Sequence, residues 1–141
     1  MESSGVYVTA SKRVAPDEYA SLMGAVGWGT AAAYSPEAIQ RSLDAYPFIA
    51  HARDERGLLV GYISAFSDGA FSTFIGELVV HPAAQGRGVG RRLLEAAEAY
   101  AKGVPVYVKP LAEKEGFFLR QGYRKSKGIG AVLFKRNQQP A

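Results

Sequence analysis

The stretch from Leu78 to Leu94 constrains this chain more than any other. An apolar, β-branched run, Leu78-Val79-Val80, reaches His81-Pro82, crosses a short turn and enters Gln85-Gly86-Arg87-Gly88-Val89-Gly90 before opening into helix-period sequence. That order reads as strand, loop, helix. Glycines at 86, 88 and 90 strip Cβ atoms from one short arc, so successive backbone N–H groups can approach a bulky anion. The following helix adds unpaired first-turn N–H groups and the positive end of its dipole. Arg87, Arg91 and Arg92 place full charges beside it. The arc reads as a phosphate cradle, against the plainer reading of glycines that only make a tight turn.

Two common phosphate motifs fail on these residues. A Walker A loop requires Lys and a hydroxyl residue after its last Gly, and Gly90 is followed by Arg91-Arg92. A dinucleotide fingerprint requires Gly-x-Gly-x-x-Gly and an acidic residue closing the next strand. Here the spacing is Gly-x-Gly-x-Gly, and the next strand, Val104 to Val108, runs into Lys109-Pro110.

The hydrophobic pattern supplies the rest of the order. Val6-Tyr7-Val8 reads as a first strand, and Pro16-Asp17-Glu18 opens a helix through Met23 with Pro and acids where a helix N-terminus favours them. Ser35-Pro36-Glu37 is a second helix start. Phe48–Ala52, Leu58–Phe66 and Phe71–Val80 read as an antiparallel meander, turned by the charged segment ending at Gly57 and by Ser67-Asp68-Gly69. Val89, Leu93, Leu94, Ala97 and Ala101 share one helical face that ends at Gly103. Val104–Val108 is a further strand, Leu111–Gln121 a short helix and Ile129–Lys135 a last strand. This order predicts an α+β class: a mixed, mostly antiparallel sheet with helices on both faces.

The Gly-rich segment resembles the pyrophosphate loop of the GNAT superfamily of acyl-CoA-dependent N-acetyltransferases, whose pattern is Gln/Arg-x-x-Gly-x-Gly/Ala. Gln85, Gly88 and Gly90 stand at its fixed positions, and Val80-His81-Pro82 is similar to the family's Val-x-Pro strand ending. The resemblance extends over essentially the whole chain, including Asp68-Gly69 and the Phe118-to-Tyr123 stretch. It implies acetyl-CoA as cosubstrate. Leu78, Val79 and Val80 would hold the pantetheine arm through their backbone, although their side chains equally suit a core. Gln85, Gly86, Arg87, Gly88, Val89, Gly90 and Arg91 would receive the pyrophosphate.

Acetyl transfer to an amine needs a neutral nitrogen, a polarised thioester carbonyl and a proton for the departing thiolate. Glu77 is the expected base: a carboxyl in Phe74-to-Val80 either faces water or sits at a cleft with a raised pKa. A backbone N–H near Val80 is the expected donor to the carbonyl. Many relatives use a Tyr to protonate the sulfur. Here the matching position is Phe118, which has no proton to give, so Tyr107 or water takes that part. His81 reads as a turn residue and His51 as a surface or hairpin residue. The acceptor site is expected around Trp28, Tyr34 and the early helices, and the acceptor amine is not identified by sequence.

At 141 residues the chain is expected to form one domain, 1–141. It carries no apolar run long enough for a bilayer and no signal-peptide pattern, so a cytoplasmic protein without membrane contact is expected. Zero cysteines and two histidines make metal chemistry unexpected. Absence of cysteine also favours direct transfer over an acyl-enzyme. A net charge of +4 suits an anionic ligand, but no basic-aromatic array marks a nucleic-acid groove. A homodimer is what the resemblance implies. Two other readings stand beside the enzyme: a CoA-binding sensor with weak or no catalysis, and an interaction module whose basic loop meets acidic partners.

Overall fold

Five strands lie side by side in chain order: β1 (Tyr7–Thr9), β2 (Phe48–Arg53), β3 (Leu59–Ser67), β4 (Thr73–Val80) and β5 (Val106–Tyr107). This computed structural model describes residues 5–28, 34–130 and 132–136. Within it the chain forms two compact units, Met1–Val108 and Lys109–Ala141. The first three pairings are antiparallel and β4–β5 is parallel. The turns between strands carry their own chemistry. Asp54 Oδ1 accepts from the Arg56 and Leu58 amides, and Asp68 Oδ1 from those of Ala70, Phe71 and Ser72. These backbone donors hold the Asp68 carboxyl below its usual range.

Helices cover both faces, as the pattern predicts. Helix α1 (Pro16–Ala25) and α2 (Pro36–Ala45) bury Leu22, Met23, Ile39 and Leu43 against Ile49, Tyr62 and Val79. Ser35 caps α2 through the Ala38 amide at 3.1 Å. In α1 the cap position is Ala15, whose amide donates to Glu18 Oε1 at 3.0 Å. Arg53 fixes α1 to β2 by a two-pronged pair with Glu18, 2.6 and 2.9 Å, and donates to the Arg13 carbonyl at 2.9 Å. His51 is buried beside this pair, its Nδ1 3.0 Å from the Ser11 carbonyl.

Helix α3 (Val89–Ala101) packs on the opposite face, with Leu93, Leu94 and Ala97 fully buried. It approaches β3 closely at Gly61, where a Cβ would lie 2.9 Å from Leu93 Cδ1 and 3.2 Å from Ala52 Cβ. The helix ends at Lys102 and Gly103, both at positive φ, 52° and 86°.

In the second unit a 3₁₀ turn, Ala112–Lys114, precedes α4 (Glu115–Arg120), so the expected continuous helix Leu111–Gln121 is split. Phe118 is buried there, edge-on to Phe117 and Tyr123 at 5.1 and 5.6 Å. Two strand expectations are corrected. Val104–Val108 shortens to Val106–Tyr107, the only stretch that pairs with β4. Ile129–Lys135 forms no strand among the described residues. Ile129, Val132, Leu133 and Phe134 are all exposed, and an apolar alternation without a ladder partner has no backbone hydrogen bonds to make it a strand.

The Gly61 contact sets an expected outcome. Gly61→Ala forces a methyl between α3 and β3 and should lower unfolding stability by about 1–3 kcal/mol, read from the urea midpoint against the parent chain.

Candidate active site

Strand β4 is paired over its length with β3, but with β5 only at Thr73↔Val106 and Phe74↔Tyr107. Among the described residues no strand pairs with its other edge from Ile75 to Val80. Antiparallel pairing alternates the direction of backbone groups. The His81 amide donates to the Val60 carbonyl at 2.8 Å, which places Val79 and Glu77 in the hydrogen-bonded positions toward β3 and turns the N–H and C=O of Leu78 and Val80 toward the open edge. The three residues expected to act alike therefore divide. Leu78 turns its N–H and C=O, and Val80 its N–H, to the open edge, while the backbone of Val79 is committed to Tyr62 and its side chain to the core. Gln85 Nε2 donates to the Val80 carbonyl at 3.0 Å, tying the loop back to the strand.

Register shifts by one residue between Ser64↔Glu77 and Ala65↔Ile75, so Gly76 is an extra residue in β4. Only glycine fits, since a Cβ there would overlap the Tyr46 hydroxyl and Ser64 Oγ. Next to it Glu77 points toward α1, where the Tyr19 hydroxyl donates to its Oε2 at 2.7 Å. Burial pushes the Glu77 carboxyl up, and the Tyr19 hydrogen bond offsets part of that rise. Burial and the neighbouring carboxylate likewise raise Tyr19 and Tyr62, keeping both as phenols. Tyr19 meets Tyr62 edge-on at 5.3 Å and Tyr34 at 6.1 Å. Glu77 Oε1, the Tyr62 hydroxyl and Ser64 Oγ are buried without a hydrogen-bond partner. The three stand together on one sheet face, with the Ser64 hydroxyl near enough to Glu77 and Tyr62 to draw both back toward their ordinary values.

After β4, the His81 ring accepts from the Ala83 amide at 3.0 Å and caps the turn Pro82–Ala84, as a turn residue should. Gly86 and Gly88 then take φ of 79° and 78°, left-handed conformations that favour glycine, and Gly88 is the cap of α3. Arg87 donates to the Ala83 carbonyl, Arg91 pairs with Glu95, and Arg92 donates to the Val6 carbonyl. The first turn of α3 holds no acidic residue. An N-terminus with arginines and no carboxylate is complementary to an anion from outside.

Tyr107 stacks on Phe74 at 5.5 Å, at the closed end of the β4–β5 cleft. The Tyr34 hydroxyl donates to the Trp28 carbonyl. A hollow of about 420 Å³ between α1 and α2 is lined by Tyr34, Pro16, Ala20 and Ile39, among others, although residues 29–33 of the expected acceptor segment lie outside the described residues. Among the described residues no group of His, Asp and Glu could hold a metal ion, and no helix is long and apolar enough to cross a membrane. Sequence reasoning missed Tyr19, Tyr46 and Ser64. Their signal lies in contacts across 58 residues and a bulge, neither of which periodicity reveals.

The profile of the acetyltransferase (GNAT) family matches residues 17–123. An uncharacterised N-acetyltransferase of Pyropia yezoensis is 22% identical over 130 residues, covering 89% of this chain and 74% of that protein. Among solved structures, a GNAT-family acetyltransferase from Streptococcus pneumoniae aligns with a TM-score of 0.75 at 24% identity, over 94% of this chain and 99% of that one. A GNAT-family acetyltransferase from Brucella melitensis, solved with acetyl-CoA, aligns with a TM-score of 0.61 at 17% identity, over 86% of this chain and 84% of the other. At these identities the likeness is one of fold.

The Tyr19 contact gives a measurable consequence. Tyr19→Phe removes the hydroxyl that favours ionised Glu77, so the carboxyl pKa should rise further. A ¹³C titration of the Glu77 carboxyl in both proteins checks the direction.

Proposed function

Because the chain belongs to the acetyltransferase (GNAT) family, we propose that it moves an acetyl group from acetyl-CoA directly to a primary amine, with Glu77 taking the amine's proton. One observation carries the reading: a buried carboxyl with an unpaired oxygen stands beside the open backbone edge of the same strand. The residues present fit acetyl-CoA. Leu78 offers its N–H and C=O, and Val80 its N–H, at the spacing of an added strand. The arc through Gln85, Gly86, Arg87, Gly88, Val89, Gly90 and Arg91 offers amides and guanidinium charge for pyrophosphate. Acetyl-CoA supplies an acyl group already activated as a thioester.

The chain's own groups supply the remainder. The Val80 N–H, at the open edge, donates to the thioester carbonyl. Its C=O is already held by Gln85, which fixes that peptide's direction. Glu77, raised by burial, accepts a proton from the incoming ammonium more readily than an ordinary carboxylate. As the C–N bond forms the C–S bond breaks; the thiolate takes one proton from water or from the Tyr107 hydroxyl, and the second proton shed by the nitrogen as the amide forms restores that donor. A sequence without cysteine supports direct transfer in a ternary complex. A CoA-binding sensor is the second reading, favoured by Phe118, which is buried among aromatics and carries no hydroxyl. Thiol release with a panel of amines separates the two.

Glu77→Gln should lower the transfer rate by roughly 10²–10⁴-fold with little change in acetyl-CoA affinity. A second readout has a definite sign. Glu77 is raised above its unfolded value of 4.5, so its ionisation opposes folding once pH rises above that value. The Gln variant should therefore gain stability over the parent as pH rises from 4.5 to neutrality, in urea unfolding at several pH values. Full transfer rate in the variant would make the base a water chain.

Gly88→Asp should weaken CoA binding about tenfold or more, because a carboxylate in the arc repels pyrophosphate and draws Arg91, whose Nη2 lies 3.3 Å from the position of the new Cβ. Calorimetric titration of CoA into the folded variant measures it.

A further inference from the structure

Helix α1 delivers one polar group to Glu77, the Tyr19 hydroxyl, and holds it in a fixed place. The Tyr19 ring stands edge-on to Tyr62 at 5.3 Å and to Tyr34 at 6.1 Å, and only 6% of the residue is exposed. The residue before it, Glu18, is bonded through both carboxylate oxygens to Arg53 of β2, so a slide or a turn of α1 breaks that pair. The hydroxyl itself donates to Glu77 Oε2 at 2.7 Å.

The bulge brings the carboxyl under this hydroxyl. Strict alternation would set Phe74 and Glu77 on opposite faces of β4. With Gly76 inserted, Ile75 is opposite Ala65 and Glu77 opposite Ser64, so both Phe74 and Glu77 stand on the α1 face with Tyr62, Ser64 and Phe66 of β3. The groups facing the carboxyl are then the hydroxyls of Tyr19 from α1 and of Tyr62 and Ser64 from β3, with that of Tyr46, the cap of α2, beside Gly76. None is a charged side chain. Of the four, Tyr19 alone is bonded to the carboxyl, and the hydroxyls of Tyr62 and Ser64 have no partner.

The two oxygens of Glu77 therefore differ. Oε2 accepts from Tyr19, and Oε1 is buried and unbonded. The last torsion of a glutamate is broad and two-fold, so without a donor either oxygen can face either way. One short hydrogen bond from a ring fixed on two sides selects a single orientation. Burial above all holds Tyr19 as a phenol, and it remains a donor whether or not Glu77 is charged.

Resting on the reading of Glu77 as the base, we infer that Tyr19 is a positioning residue of the transfer: its hydroxyl occupies Oε2 and leaves Oε1 to take the proton of the acceptor amine. A lone pair of Oε1 forms the new O–H bond, and the electrons of the broken N–H bond stay on nitrogen. Oε2 becomes the carbonyl oxygen of the acid and still accepts from Tyr19. The phenol neither gains nor loses a proton, so the carboxyl keeps one orientation before and after the step. A base held in reach of its proton gains rate, and one free to turn away loses it. Tyr19 exerts this effect through Glu77.

A double-mutant cycle tests this, with Tyr19→Phe, Glu77→Gln and the double variant of the full chain, and butylamine as the acceptor. Phe keeps the ring in place, and circular dichroism verifies that each variant folds. Tyr19→Phe should lower kcat about tenfold with the KM for acetyl-CoA unchanged. The ascending limb of kcat/KM against pH should move to higher pH, because the lost donor favoured the ionised base. In the Glu77→Gln background the same change should cost nothing further, since no base is left to orient. An equal loss in both backgrounds gives Tyr19 a structural role and overturns the inference. Slow Glu77→Gln beside Tyr19→Phe at full rate with an unmoved limb overturns it alone, whereas full rate in Glu77→Gln overturns the base reading and the inference together. Infrared difference spectra between acid and neutral pH, with Glu77→Gln as the blank, decide the orienting contact without turnover. The C=O band of protonated Glu77 should rise in frequency and broaden in Tyr19→Phe. A band that neither moves nor broadens overturns the inference.

Discussion

Strand β4 is held unequally on its two sides. Against β3 it pairs from end to end, and against β5 it pairs at two residues, beyond which no strand among the described residues joins that edge. A backbone edge left open in the middle of a sheet is ordinarily a liability, since unpaired N–H and C=O groups seek a partner. Here the fold keeps it open. The Pro105 carbonyl takes the Thr73 amide at 2.8 Å at the closed end. At the far end Val80 passes into His81-Pro82, where the ring of His81 and the side chain of Gln85 shape the turn toward the glycine arc. Along this one strand stand the edge groups of Leu78, the edge N–H of Val80, the carboxyl of Glu77 and the ring of Phe74.

The second constraint is the inserted Gly76. A bulge bends its strand and shifts which side chains share a face, and this one brings Glu77 and Phe74 onto the α1 side together. It is possible only because Tyr46 and Ser64 fill the volume a Cβ would occupy. Helix α1 is then pinned twice at neighbouring residues, by Glu18 to Arg53 and by Tyr19 to Glu77. The first contact is a half-exposed ion pair that locates the helix. The second reaches the Glu77 carboxyl and offsets part of the rise that burial imposes on it. A buried acid with a raised pKa works against stability at neutral pH, which is the usual sign of a group retained for chemistry rather than for packing.

Much of this was legible before any coordinates. The strand, the glycine arc, the cap at Ser35 and the apolar stripe of α3 follow from local rules, because turn residues, caps and periodicity act within a few positions. Glu77 was visible as a carboxyl out of place in an apolar run. The last strand was misread, since Ile129 to Lys135 has the alternation of a strand but no partner in the described structure. Likewise Val104–Val108 looked like a full strand, yet only two of its residues reach β4.

Sequence by itself determined the order of the elements as far as α3 and the glycine arc that opens that helix, because those depend on neighbours along the chain. Only the tertiary structure decided which backbone groups stay free and what surrounds the carboxyl. Leu78, Val79 and Val80 look equivalent in sequence, and the register with β3 alone makes Val79 different. Tyr19 lies 58 positions from Glu77, and nothing local to either residue announces the other. The face shared by Glu77 and Phe74 depends on a single inserted glycine whose effect exists only once two strands are paired.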